Sequence, residues 1–351
     1  MDKQINILVS ESVALLKEMI AIPSPSFNEG DVCSHICKWL TSKGVEHERV
    51  GNNIIAEHVT DPSNPTLMLC AHIDTVSPCE GYSFDPYMPE NSPEGVIQGL
   101  GSNDDGASVV SMIAAYRYYT GKLNLTLVLT CEEERSGKDG MTGLWGKRLN
   151  RIDYAIVGEP TGMKAATSER GLLVIDATAH GVSGHAARNE GKNALYIALE
   201  DIEKLRRHEF TKVSPKMGKV NLNVTQISAG SAHNVIPDRC DFVIDIRPTE
   251  QYSNEEILHE LQEICESELK PRNLANRSSA THEGSILQKT AEDMGIETFS
   301  SATTSDWMRI TCDAIKMGPG DSNRSHRKDE YVTVQEIENG IRTYIEFIER
   351  L

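Results

Sequence analysis

Four short acidic segments stand out in this chain of 351 residues. They are AHID at 71–74, SNDDG at 102–106, CEEER at 131–135 and VGEP at 157–160, and a histidine segment, GDSNRSH, follows at 320–326. Together they offer imidazole nitrogens and carboxylate oxygens, which are the ligands that divalent transition metals take in hydrolases. The number of these candidate ligands favours a site for two ions that share a bridging carboxylate over a site for one ion.

Three of these segments directly follow runs that are typical of buried strands. His72 follows TLMLCA, the glutamates at 132–134 follow NLTLVLTC, and Glu159 follows YAIVG. In an open α/β sheet, ligands bind beyond the carboxyl ends of the strands, where the loops converge. A single polar strand end is usually an ordinary exposed loop, but three of them with an Asp-rich turn predict one site built from distant parts of the chain.

The alternation of helical and strand patterns predicts the architecture that carries this site. Strands that alternate with helices over the first part of the chain indicate an α/β fold with a mainly parallel sheet and helices on both faces. A compact β-α-β-β-α unit then interrupts the pattern, which resumes near the end of the chain. We therefore predict a catalytic, metal-binding domain at 1–165 and 281–351 and an inserted α+β domain at 166–280.

The composition excludes several classes of partner. The formal net charge of −17 repels phosphate backbones and anionic lipid, so we expect no nucleic-acid and no membrane partner. Charged residues interrupt the first twenty positions, which excludes the apolar core of a signal peptide. The eight cysteines form no CxxC pair and are typical of reduced core residues. These features predict a cytoplasmic protein.

Taken together, the motifs resemble the co-catalytic zinc aminoacylase and exopeptidase superfamily, which includes acetylornithine deacetylase, succinyl-diaminopimelate desuccinylase, aminoacylase and carboxypeptidase G. The resemblance runs from IPSPS at 22–26 to EYVTVQEI at 330–337, and it looks most like the acetylornithine deacetylase branch. Its most specific pieces are AHIDTV, GLGSNDDGA, the glutamate run, VGEPT, GVSGHAA and NVIPDRCDFVIDIR. It implies a dinuclear metal site and makes the insertion a lid and dimerisation domain.

The resemblance also implies a ligand set and its supporting residue. Asp104 would bridge two divalent ions, with Zn²⁺ expected and Co²⁺ as the alternative. Asp74 would orient the ring of His72, and the peptide after Asp104 is a candidate for the cis form. The implied ligands are His72, Asp104, Glu134, Glu159 and His326.

The glutamate run supplies the implied general base. Glu133 would accept a proton from a water shared by the two ions and return it to the leaving amine. Because Glu132 precedes it, the register could shift by one, and the sequence leaves open which of the three glutamates is the base and which is the ligand.

The implied substrate contacts lie in the insertion. His185, in GVSGHAAR, matches a lid histidine that in dimeric relatives reaches the neighbouring subunit's site, which predicts a homodimer and leaves open whether His185 acts in trans. Arg170, Asn234 and Arg247 match positions that bind the substrate carboxylate or the lid interface, and arginine suits a carboxylate by bidentate pairing. An ordinary salt bridge explains Arg247 equally well.

The predicted reaction is hydrolysis of the amide of a small N-acyl amino acid, namely N-acetyl or N-succinyl ornithine, citrulline or lysine, in arginine biosynthesis. A dipeptidase or carboxypeptidase of the same superfamily is the alternative. A mononuclear iron oxygenase built on His72, Asp74 and a distant histidine is a remote one, because it leaves Asp104 and the glutamates unused. The acyl group, the amino acid and the native metal stay open at this point.

Overall fold

The computed structural model describes residues 2–188 and 190–351, and they divide into two units. Unit 1 comprises Met1–Thr167, Ala280–Phe299 and Ser305–Leu351, and unit 2 comprises Ser168–Ser279 with Ser300–Thr304. The main part of unit 2 lies within the predicted insertion at 166–280 and is only a few residues shorter. Unit 2 also includes the short segment Ser300–Thr304.

The helices and strands follow one another in the order that the sequence pattern predicts. The helices are α1 (Asp2–Ile20), α2 (Gly30–Ser42), α3 (Ala107–Tyr118), α4 (Met141–Leu144), α5 (Ala194–Arg207), α6 (Asn254–Ile264), α7 (Ile286–Asp293) and α8 (Val334–Arg350). The strands are β1 (Glu48–Val50), β2 (Asn53–His58), β3 (Thr66–His72), β4 (Val96–Gln98), β5 (Asn124–Thr130), β6 (Tyr154–Val157), β7 (Ala165–Glu169), β8 (Leu173–His180), β9 (Gly184–His185), β10 (Asn221–Ala229), β11 (Val235–Ile236), β12 (Arg239–Arg247), β13 (Glu268–Pro271), β14 (Ser279–Ala280), β15 (Thr298–Ser301), β16 (Asp313–Lys316) and β17 (Tyr331–Thr333).

Unit 1 is built on a sheet with the strand order β1-β2-β5-β3-β6-β16. The pairs β5-β3, β3-β6 and β6-β16 are parallel, whereas β1 and β2 are antiparallel additions at one edge. The mainly parallel α/β fold predicted from the sequence is therefore confirmed.

Both faces of this sheet are buried, which explains why its central strands are largely apolar. Alternate residues of β3 enter different clusters: Leu67 and Leu69 pack with α1, α3 and α8, whereas Met68 and Cys70 pack with α4 and Trp307 on the other face. Because side chains alternate along a strand, each strand supplies both layers. The sheet is thus rigidly held, and its strand ends are fixed supports for loops.

Unit 2 is built on a separate sheet, which is antiparallel. Its antiparallel sheet has the order β10-β12-β8-β13, and alternate residues of β8 and β12 are buried. These residues pack with α5 and α6 in a separate apolar cluster. One covered face and one open face are typical of an antiparallel sheet. A short ribbon of β9 and β11 completes the unit.

None of the helices in the described part of the chain combines the length and the apolar character that a membrane-crossing helix requires.

Candidate metal centre

The carboxyl ends of β3, β5 and β6 meet at one edge of the sheet of unit 1. His72 is the last residue of β3 and lies in register with Thr130, the last residue of β5, while Cys70 lies in register with Val157, the last residue of β6. The glutamate turn and Glu159 follow these ends within a few residues. The convergence that the strand ends predict is confirmed.

A continuous chain of short contacts links four of the five implied ligands. The Nε2 atom of His72 lies 3.2 Å from Oδ1 of Asp104, and Oδ2 of the same carboxylate lies 3.7 Å from Nε2 of His326. His326 in turn lies 2.9 Å from Oε2 of Glu134. The two oxygens of Asp104 therefore face two different histidines, which is the arrangement that a bridging carboxylate requires.

Glu133 and Glu159 approach the same centre from the side of His72. Ligand atoms of His72, Glu133 and Glu159 lie within 4.8 Å of one another, and those of His72, Asp104 and Glu134 form a second such group. The structure thus brings together all five implied ligands and the implied base. It places Glu133 beside His72 and Glu159, and Glu134 beside His326.

The side chains of this centre are buried or half-buried except that of His326, which is 56% exposed, and their charges act on one another. Burial, and the nearby charge of Asp104, raise the pKa of Glu159 well above its usual range, although Lys316 lowers it. Burial likewise raises the pKa of Glu133, with further contributions from Glu159 and Asp306. A hydrogen bond to Glu134 raises the pKa of His326 to about 9.

The donor set of this centre fits two divalent cations. Several carboxylates crowd into a desolvated space where they repel one another, and the histidines offer ring nitrogens to the same space. Imidazole nitrogens with carboxylate oxygens are the ligand set of zinc hydrolases, and a buried cluster of this charge is stabilised by cations. The residues on hand therefore suit the metals that the sequence implied.

The loop that carries Asp104 has an unusual backbone. The peptide between Asp104 and Asp105 is cis, so the expectation of a cis form is confirmed. Gly101 has a φ of 77°, and a Cβ atom there would lie 2.6 Å from Cγ2 of Thr75. Glycine is thus required at this turn, which folds back against the residues that follow β3.

Asp74 contacts His72 in a different way from the one predicted. The Nδ1 atom of His72 lies 2.9 Å from the main-chain oxygen of Asp74, whereas its distance from the carboxylate is 3.5 Å. The Asp74 carboxylate instead accepts hydrogen bonds from the backbone N–H groups of Glu133, at 3.0 Å, and Glu134, at 3.2 Å, and from the hydroxyl of Ser26. Asp74 therefore orients His72 mainly through its backbone and positions the glutamate turn with its side chain.

The three consecutive glutamates have separate environments. Glu132 takes a left-handed backbone conformation, with a φ of 60°, and its carboxylate accepts a hydrogen bond of 3.1 Å from the N–H of Asp139. Its own N–H donates to the carboxylate of Glu29. Glu132 thus supports the loop, while Glu133 and Glu134 enter the metal centre.

Sequence reasoning missed other buried carboxylates around the centre. Asp306 accepts a 2.6 Å hydrogen bond from the hydroxyl of Thr130, and burial raises its pKa to about 6. Burial raises the pKa of Asp105 to about 8, and Glu330 is only 2% exposed. Asp306 had no sequence signal except its place in a loop rich in serine and threonine, whereas Glu330 lies in EYVTVQEI, a segment that the resemblance already included.

The predicted residues of unit 2 fall into two groups. His185 is the last residue of β9, and Asn234 directly precedes β11; the N–H of Ala186 donates to the main-chain oxygen of Asn234, and both His185 and Asn234 are exposed. The Arg170 guanidinium donates to the main-chain oxygens of Lys219, Arg247 and Met217.

Arg247 forms two hydrogen bonds with the carboxylate of Asp245, at 2.8 and 3.1 Å. Both arginines thus have partners within unit 2. Their predicted contacts with substrate stay predictions.

Comparison with known proteins agrees with this picture. Residues 167–273 match the family model of a peptidase dimerisation domain. A succinyl-diaminopimelate desuccinylase of Xanthomonas campestris is 26% identical over 378 residues, which covers 98% of this chain and 100% of that protein. A putative [LysW]-lysine/[LysW]-ornithine hydrolase of Pyrobaculum aerophilum is 26% identical and covers 92% and 93% of the two chains.

Solved structures show the same fold over the whole length. The aminopeptidase PepT of Bacillus cereus superimposes with a TM-score of 0.78 at 18% identity and covers 97% of this chain and 98% of its own. A dinuclear metal-binding peptidase of the M20 family from Bacillus subtilis superimposes with a TM-score of 0.74 at 14% identity, over 98% and 99% of the two chains.

Proposed function

Because the chain belongs to the M20 superfamily of metal-dependent aminoacylases and exopeptidases, we propose that it hydrolyses the amide bond of an N-acyl amino acid at a dinuclear metal centre. The observation that carries this proposal is the carboxylate of Asp104, whose two oxygens face His72 and His326. A mononuclear site has no use for such a bridge.

Two ions would share Asp104. His72 and Glu159 would hold one of them, and Glu134 and His326 would hold the other. Zinc is the proposed metal, with cobalt as the alternative. Bound ions of this kind lower the pKa of a shared water towards neutrality and polarise the carbonyl of the scissile amide.

Glu133 acts as the general base and acid. Its carboxylate accepts the proton of the attacking water and then donates it to the leaving nitrogen. One feature of its surroundings suits this work: the Asp74 carboxylate accepts a hydrogen bond from the N–H of Glu133 and so fixes the backbone of the turn.

The proposed substrates are N-acetyl or N-succinyl derivatives of ornithine, citrulline or lysine, with a role in arginine biosynthesis. The names of the two relatives support this class, since both describe release of an amino acid that carries two amino groups. The eight free cysteines suit a reducing compartment, so we place the reaction in the cytoplasm.

We further propose that the active form is a homodimer in which His185 of one subunit serves the metal centre of the other. Support comes from the dimerisation-domain match at 167–273 and from the exposure of the His185 ring. An exposed imidazole in a short ribbon is free to meet a substrate oxygen, where it would stabilise developing negative charge.

The test is a hydrolysis panel with protein reloaded with Zn²⁺ or Co²⁺ after chelation. The panel contains acetyl and succinyl derivatives of ornithine, citrulline and lysine, together with dipeptides of the same amino acids. We expect two ions per chain, loss of turnover on chelation, and a preference of kcat/KM for an acylated amino acid. A preference for dipeptides would make the protein a peptidase, and retention of full turnover without metal would overturn the proposal.

A further inference from the structure

The bridging aspartate lies in a loop whose backbone is held by one buried carboxylate. Oε1 of Glu330 accepts hydrogen bonds from the N–H groups of Asn103 and Asp104, both at 2.9 Å, and Oε2 accepts one from Gly101 at 3.1 Å. Glu330 is 2% exposed, so these bonds are shielded from water. Hydrogen bonds in such surroundings are stronger than in water.

The main chain around Glu330 holds the same loop. Its carbonyl oxygen accepts a 3.0 Å hydrogen bond from the N–H of Gly99, and β17, which follows it directly, pairs with β4, which directly precedes Gly99. Both the backbone and the side chain of Glu330 thus fix the 99–104 loop.

The segment of Glu330 also carries the last metal ligand. His326 lies four residues before it, and a second set of bonds joins the same two loops. The Asn103 amide donates to the main-chain oxygen of Asp321, at 3.1 Å, and to the hydroxyl of Ser325, at 3.3 Å, and it accepts from the N–H of Asp321. Glu330 and Asn103 therefore brace Asp104 against His326 from opposite ends of the 321–330 loop.

We propose that Glu330 is a positioning residue of the metal centre, which sets the place of Asp104 relative to His326 and thereby the affinity of the ion on the His326 side. The inference rests on the proposed dinuclear function. The ion of Asp104, Glu134 and His326 would take all three ligands from loops, whereas the other ion would share Asp104 but take His72 from the end of β3 and Glu159 from just after β6. Loss of the Glu330 hydrogen bonds therefore weakens binding of the ion on the His326 side more than binding of the other ion.

The residue acts on the ligand and not on the substrate. Its two oxygens are directed at backbone N–H groups of the loop, and three such groups in a buried loop need an acceptor. Supporting partners of metal ligands commonly affect metal affinity about 10 to 100-fold when they are changed.

The variant that tests this is Glu330→Gln, which keeps the size of the side chain and replaces one acceptor oxygen by a donor. Glu330→Ala removes both acceptors. The matched control is Asp201→Asn in unit 2, because Asp201 is also fully buried and also accepts backbone N–H groups, those of Glu266 and Ser267. All three variants remove acceptors of hydrogen bonds from buried backbone N–H groups, but only the first two do so at the metal centre.

The measurement is a titration of metal-free protein with Zn²⁺ against a competing chelator, which reports two binding steps without use of activity. We expect Glu330→Gln to weaken one step about 10 to 100-fold and the other by less than about threefold. Cobalt absorption spectra of the loaded protein should change for one ion only. Asp201→Asn should lower the temperature of unfolding and leave both steps as in the wild type.

Two results would overturn the inference alone: unchanged affinities in Glu330→Gln, or equal weakening of both steps. If Glu330→Ala does not fold, the isosteric Gln variant still decides between these results. A wild-type protein that binds fewer than two ions would overturn the proposed function, and this inference with it.

Discussion

The metal centre of unit 1 and the predicted substrate contacts of unit 2 are held in different ways. At the metal centre, His72 is 3% exposed and Asp104 is 8% exposed, whereas the side chain of His326 is 56% exposed, and buried carboxylates fix the loops that carry Asp104 and the glutamates. In unit 2, His185 at the end of β9 and Asn234 just before β11 are both exposed. One set is organised in advance by its own surroundings, whereas the other is presented outward.

The difference shows what each unit can accomplish alone. The five ligands of the metal centre come from five segments of one chain and lie close to one another, so the centre needs no second subunit to assemble. Exposed polar groups on a short ribbon gain their partners only when another molecule arrives. The comparison therefore predicts that metal binding survives changes in unit 2, while turnover does not.

The largest expected effect belongs to the metal centre. Replacing Glu133 by Gln removes the proposed base and keeps the shape of the side chain. We expect kcat to fall about 10² to 10⁴-fold with the two bound ions retained, because general-base catalysis is worth about that much and Glu133 is not among the proposed ligands. Steady-state kinetics with metal analysis of the same samples is the measurement.

Its neighbour supplies a matched control. Glu132→Gln alters the same turn and the same charge, but the Glu132 carboxylate accepts from the N–H of Asp139 and does not enter the centre. Its kcat should fall by less than about tenfold. Loss of one ion in Glu133→Gln, with full occupancy in Glu134→Gln, would show that the roles of the two glutamates are reversed.

The second effect concerns the ribbon. Replacing His185 by Ala should lower kcat about 100-fold, the usual cost of a lost donor to an oxyanion, and should leave metal content unchanged. If the ring serves the partner's centre, a mixture of His185→Ala and Glu133→Gln subunits regains activity. Half of the dimers are then mixed, and each mixed dimer has one intact site, so recovery should reach about a quarter of the wild-type rate.

Failure to regain activity would contradict the idea that unit 2, unlike unit 1, acts only together with a second subunit. It would mean that each chain uses its own His185, provided that the mixed dimer is shown to form, for example by pull-down of differently tagged subunits. A loss of bound metal in His185→Ala would contradict the comparison more directly, since it would make the ribbon part of the metal centre.

The strand ends could be predicted from the sequence because their geometry follows from topology. The run before His72, the run before Glu132 and the run before Glu159 are each largely apolar, which identifies central parallel strands, and such strands end at one edge. That rule brings His72, the glutamate run and Glu159 to one edge, whereas the roles of Asp104 and His326 were implied by the family resemblance. The order of strands and helices followed from the same alternation of patterns.

Side-chain direction within a loop could not be predicted in this way. Glu132 leaves the centre because its backbone adopts a φ of 60°, and nothing in three consecutive glutamates distinguishes that residue. Asp74 uses its main-chain oxygen for His72 and its carboxylate for the next loop, a choice decided by contacts across 59 residues of sequence. Glu330 likewise finds its partners 226 and 227 residues away.

The smallest effect tests whether unit 2 has a stability of its own. Asp201, buried on α5, accepts hydrogen bonds from the N–H groups of Glu266 and Ser267 and from the Ser267 hydroxyl. Asp201→Asn turns one acceptor into a donor, and we expect it to destabilise the protein by about 1 to 3 kcal/mol. Thermal unfolding of metal-free and zinc-loaded protein should show the same decrease, because the lost bonds lie far from the ligands in sequence and within unit 2.

The pH dependence of this variant carries a definite sign. Burial alone would raise the pKa of Asp201. The hydrogen bonds from Ser267 and Glu266 lower it by a larger amount, so the folded pKa lies below the ordinary value of 3.8. The carboxylate thus stabilises the fold above that pH and loses its contribution as the pH falls through the folded pKa. The stability difference between wild type and Asp201→Asn should be constant near neutrality and should shrink below about pH 4, as chemical unfolding at several pH values would show. A difference that instead tracked zinc occupancy would mean that Asp201 supports the metal centre, and the division between the two units would no longer hold.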